Sequence, residues 1–87
     1  MEPDDIVEFT EHAKEAIKER KIEYHWIQQT LNEPELRTQD PNDSQVERFF
    51  QKIPENGNRV LRVAVNTNAW PWKVVSVFFD RTMKGKL

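Results

Sequence analysis

Midway along the chain the spacing of apolar residues switches from the period of a helix to the period of a strand. Before residue 37 the apolar positions recur every three or four residues, as in Phe9, Ala13, Ala16 and Ile17, then Tyr24, Ile27 and Leu31. After residue 44 they alternate, most clearly in "RVLRVAVN", Arg59–Asn66. Helices first and strands afterwards exclude an alternating α/β fold and point to α+β.

The first helix is predicted from Glu11 to about Lys21, with Thr10 as its N-cap. Its charge runs from Glu11 and Glu15 early to Lys18, Arg20 and Lys21 late, which suits the helix dipole. The second is predicted from about Glu23 to Asn32 and stops before Pro34, because a proline disfavours helical geometry in the residue preceding it. "RTQDPNDS" reads as a loop dense in turn formers. Three strands follow, Gln45–Ile53, Arg59–Asn66 and Trp72–Asp80. The expected architecture is two N-terminal helices packed on one face of a three-stranded antiparallel β-meander (ααβββ). At 87 residues the chain reads as one domain, with residues 1–8 beginning as a loose arm or short strand and 83–87 a loose tail.

Alternation assigns the two sheet faces. Leu61, Val63 and Val65, with Val75, Val77 and Phe79, form fully apolar sets for the helices to cover. The opposite face carries Val60, Arg62, Ala64 and Asn66 beside Trp72, Val74, Ser76 and Phe78. That mixed face is where the sequence directs a search for function.

Composition removes several classes of chemistry. With no cysteine there is no disulfide framework or thiolate metal site. His12 and His25 sit in no metal-binding spacing, and two glycines cannot build a phosphate cradle, so neither a metal nor a cofactor is expected. No apolar run approaches the length of a membrane span, and the acidic start "MEPDDIVEF" is unlike a signal peptide, so a cytoplasmic location is expected. Charge is segregated along the chain. Residues 1–47 hold 13 acids and 5 bases, whereas residues 48–87 hold 2 acids and 8 bases. A basic half suits a polyanionic partner; an acidic helical layer complementing a basic sheet would produce the same imbalance.

Four groups of residues are candidates for function. His12 reads either as a general acid or base or as a structural partner of Glu15 or Glu8. Arg20 lies eight residues further on and reaches a different part of the helix surface, where the two side chains are able to flank one groove. Arg48, Arg62 and Arg81 are the arginines of the strand-forming half best placed to bind phosphate, and Arg62 interrupts an otherwise apolar strand. Trp72, after "NAWP", reads either as a stacking surface for a base or as a plug at the end of the core.

"HAKEAIKERKIEYHWIQQTLNEPE" resembles the start of a widespread bacterial family, domain of unknown function 4258, in its order of His12, Arg20, Ile22, a helix through Leu31 and a turn at Pro34. "RVLRVAVN" and "VVSVFFDR" are similar to the family's last two strands, so the resemblance covers about residues 9–82. It implies a fold similar to small toxin ribonucleases of the BrnT and RelE kind, which cleave RNA without metal and are held in check by a cognate antitoxin. On that reading a ribose 2′-hydroxyl attacks the adjacent phosphate. His12 would transfer the proton and Arg62, the other catalytic candidate, would hold the phosphate with Arg48 or Arg81, while Arg20 and Trp72 are further binding candidates read from the residues. A pI of about 5.7 departs from the basic character of such toxins. The rival expectation is a non-catalytic nucleic-acid- or protein-binding module of the same fold.

Overall fold

A computed structural model describes residues 7–87, and the N-terminal arm expected from the sequence lies outside them except for Val7 and Glu8. The elements run β1 (Val7–Phe9), α1 (Glu11–Arg20), α2 (Tyr24–Asn32), β2 (Leu36–Gln39), β3 (Val46–Ile53), β4 (Arg59–Asn66) and β5 (Trp72–Phe79). Short 3-10 turns follow β3 at Pro54–Asn56 and β5 at Arg81–Met83.

Helix α1 starts where Thr10, in extended geometry, accepts a hydrogen bond from the Ala13 N–H at 3.1 Å. It ends at Lys21, which takes the left-handed conformation (φ 54°) so that its N–H and that of Ile22 reach back to carbonyls of the last turn. The reversal turns Ile22 into the core. In α2, Ile27 and Leu31 are buried, and the Thr30 hydroxyl is satisfied by donating to the Trp26 carbonyl at 2.7 Å. Both helices lie on one face of the sheet. Ala13, Ile17, Ile22, Ile27 and Leu31 meet Phe49, Ile53, Leu61, Val63, Val65, Val74 and Val77 there.

The fold is α+β with two helices, but the three-stranded meander is overturned. Among the described residues the sheet has five strands in the order β1-β5-β4-β3-β2, antiparallel except where β1 runs parallel to β5. The added strands are both edges. Val7–Phe9, part of which was expected to be arm, pairs with Trp72–Val74, and the Thr10 N–H continues the ladder to the Val74 carbonyl at 3.0 Å. Leu36–Gln39, most of which was read as loop, pairs with Glu47–Phe50. Its sequence "LRTQ" is short and polar because only one of its sides is paired and one face is wet.

A second correction concerns the faces. The β4–β5 register shifts between Ala64 and Val65, so Ala64 pairs with Ser76 whereas Val65 pairs with Val74. Val75 is the extra residue of this bulge. Beyond it every side chain of β5 changes side relative to simple alternation. Val74 and Trp72 therefore join the helix-covered face, while Val77 and Phe79 lie there as expected. The C-terminal segment forms local turns. The Met83 N–H donates to the Asp80 carbonyl and the Lys86 N–H to the Met83 carbonyl.

Candidate functional site

On the helix-free face, Arg48 of β3 and Arg62 of β4 stand on adjacent strands, but each is held by a carboxylate. Arg48 Nε donates to Asp40 at 3.2 Å, and an Arg62 terminal nitrogen donates to Asp80 at 3.2 Å. Asp40 opens the β2–β3 turn and also accepts from the N–H groups of Asn42 and Asp43. The hydrogen bond from Asn42, aided by Arg48, holds its carboxyl below the usual carboxylate range against the opposing effect of burial. Burial pushes the Asp80 carboxyl up, yet the Thr82 hydroxyl and N–H, with the charges of Arg62 and Arg48, bring it net below its ordinary value. Burial and the neighbouring Arg48 charge lower Arg62 from the ordinary guanidinium value, with Asp80 and Asp40 opposing. Arg62 also lies over the Phe78 ring at 4.2 Å. These two arginines are committed to the fold.

Helix α1 carries His12 on its exposed side, while Ala13, Ala16 and Ile17 face the sheet. The sheet lies between the imidazole and Arg62, so the two do not form one centre. The partnership of His12 with Glu15 or Glu8 is not formed either, since His12 makes no ion pair among the described residues. Arg20, the last residue of α1, is exposed on the same layer as His12 and apart from the arginines of the sheet. Trp72 is half-buried, its ring 5.8 Å from that of Phe49, with the Arg37 guanidinium 5.7 Å above it. Arg37 is paired with Glu47. Trp72 thus closes the core, and the more exposed indole of its segment is Trp70, at 63%.

Arg81 is in a different position. It lines a groove of about 480 Å³ together with Arg59, Val60, Phe79, Asp80 and Lys84, where the start of β4, the end of β5 and the C-terminal turn converge. Arg59, Arg81 and Lys84 are exposed and have no carboxylate partner among the described residues. The one acid in the lining, Asp80, is turned to Arg62 and Thr82. Three cations without carboxylate partners among the described residues, beside the half-buried Phe79 ring, suit an anion that also carries a flat or apolar group.

Arg59 and Lys84 escaped the sequence reading because the groove exists only once β4 and β5 are paired and the chain has turned at Asp80. The local signal was "DRT". An Asp followed two residues later by Thr favours a side-chain-capped turn, and that turn brings Lys84 to the groove. No group of three or more metal-ligating side chains occurs among the described residues. Among the described residues no helix is long and apolar enough to cross a membrane.

A family model described as a domain of unknown function (DUF4258) matches residues 9–79. No curated protein and no solved structure matches the chain. The chain belongs to the DUF4258 family, whose matched span runs from the end of β1 to the end of β5.

Proposed function

We propose that this chain is a non-catalytic nucleic-acid-binding module that takes RNA at the Arg59–Arg81–Lys84 groove. The observation that carries this reading is the convergence, at one end of the sheet, of three cations without carboxylate partners among the described residues. The segregation of positive charge into residues 48–87 supports it, since the groove is built wholly from that half. Placement of His12 and Arg62 on opposite sides of the sheet weighs against cleavage by that pair. The likeness to small toxin ribonucleases then supports a shared RNA-facing role more than shared chemistry.

Binding through phosphates has a measurable signature, because each neutralised phosphate releases counterions and affinity falls linearly with salt on a logarithmic scale. Labelled single-stranded RNA is titrated with the purified chain in EDTA at several salt concentrations, beside an Arg59→Ala/Arg81→Ala/Lys84→Ala variant. The expected result is salt-dependent binding that weakens at least about tenfold in the variant, with the RNA recovered intact. Equal binding by the variant would remove the groove from the proposal. RNA shortened by the wild-type chain in EDTA would restore metal-independent cleavage as the activity.

A further inference from the structure

Two residues of the groove lining, Phe79 and Arg59, join Trp26 in a chain of ring contacts. The Trp26 ring of α2 meets the Phe79 ring edge-on at 6.0 Å, and the Arg59 guanidinium lies over Phe79 at 4.3 Å. Trp26 and Phe79 are both packed against the core, so the ring beneath Arg59 is held from behind. Arg59 is exposed, with the central carbon of its guanidinium over the Phe79 ring, so the group rests on the ring at the protein surface. Arg81 and Lys84 stand around the same space.

Resting on the nucleic-acid-binding reading above, we infer that the outer face of the Arg59 guanidinium is a platform for one unpaired base, with Arg81 and Lys84 holding the adjoining phosphates. The substrate class this names is single-stranded nucleic acid. A guanidinium is planar and delocalised, and it stacks on nucleobases as it does on aromatic side chains. The contact with Phe79 restricts the Arg59 side chain in advance, so less of its freedom would be lost on binding. A base inside a duplex already has both faces covered by its neighbours and cannot occupy the platform without being unstacked. A groove of about 480 Å³ lies toward the lower end of the range for small-ligand sites, a scale suited to one nucleotide unit and not to a helix.

Arg59→Lys separates stacking from charge, because it keeps the cation and removes the plane. Single-stranded RNA, duplex RNA and inorganic polyphosphate are each titrated against the wild type and this variant at one low salt concentration. The platform requires that Arg59→Lys weaken single-stranded RNA roughly tenfold, within the range found when base-stacking side chains are removed. Polyphosphate affinity should change less than about twofold, and wild-type protein should bind duplex RNA more weakly than single-stranded RNA. Phe79→Leu, checked by thermal melting, should reproduce the loss for single-stranded RNA if it folds. If it does not fold, Arg59→Lys decides alone. Single-stranded RNA and polyphosphate that bind both proteins alike would overturn the platform and leave a purely electrostatic groove. Duplex binding as tight as single-strand binding would also overturn it. Failure of all three ligands to bind would remove the platform together with the nucleic-acid reading beneath it.

Discussion

Arg62 and Asp80 meet at 3.2 Å on the helix-free face, and the contact joins the middle of β4 to the cap of the C-terminal turn. One Asp80 oxygen receives Arg62 while the other receives the N–H and hydroxyl of Thr82. A cation that appeared in the sequence as an interruption of an apolar strand therefore helps to fix the turn carrying Arg81 toward Lys84. Its role in the groove is indirect, through the position of that turn.

Acid should remove this contribution. The folded carboxyls of Asp80 and Asp40 lie below their ordinary values, and an unfolded Asp titrates at about 3.9. Groups depressed on folding add stability that is complete above the unfolded value and is lost as pH falls through the folded one. Urea midpoints should therefore drop below about pH 4. Asp80→Asn should flatten part of that drop and cost roughly 1.5–3 kcal/mol at neutral pH, the range for a hydrogen bond to a charged group. A variant whose pH profile runs parallel to the wild type would contradict the assignment.

His12 gives the opposite expectation. It is exposed on α1, without an ion pair among the described residues and on the far side of the sheet from Arg62. His12→Ala should leave RNA affinity unchanged and move stability by no more than about 0.5 kcal/mol, as for a surface residue free of special contacts. Fluorescence anisotropy and a urea titration on one preparation check both. A loss of affinity of tenfold or more would return the imidazole to the site.

The helices were legible because their caps and apolar spacing are local, and α1 and α2 fall within a residue or so of their expected ends. Three features were not. Strand β2 lacks a fully apolar alternation since it is an edge, and its hydrogen bonds to β3 are the main evidence for it. Strand β1 is three residues long and runs parallel to a partner 65 positions later, a pairing that no local signal encodes. The bulge at Val75 is invisible in "WKVVSVFF", where either valine would serve a core face, and it alone moved Trp72 from the candidate surface to the core. The site followed the same pattern. Arg81 was singled out by residue type, but Arg59 and Lys84 join it only through tertiary pairing.

Lys21 offers a gain in stability. Its φ of 54° places a side chain in the left-handed region at the end of α1, where glycine has no Cβ to crowd the carbonyl. Lys21→Gly should stabilise the chain by about 0.5–1 kcal/mol, the partial relief of that crowding less the greater freedom of an unfolded glycine. At the other end, Thr10→Ala removes the acceptor for the Ala13 N–H and should cost about 1 kcal/mol. Denaturant midpoints measure both changes. A destabilised Lys21→Gly would mean that the lysine side chain makes a contribution its geometry does not reveal.

Cations that serve the fold are separable by experiment from cations that serve a ligand. Lys84 lines the groove without a carboxylate partner among the described residues, so an RNA phosphate beside it would displace counterions and contribute to the salt dependence. Lys84→Ala should therefore weaken binding to all RNA sequences about equally and reduce the slope of log affinity against log salt by about 1. Arg48 carries the same formal charge, yet its guanidinium is occupied by Asp40 on the helix-free face and does not line the groove. Arg48→Ala should lower the thermal midpoint while leaving that slope unchanged. If the two substitutions reduced the slope equally, positive charge would be acting as a diffuse field over the whole basic half, and the groove would have no privileged part in binding.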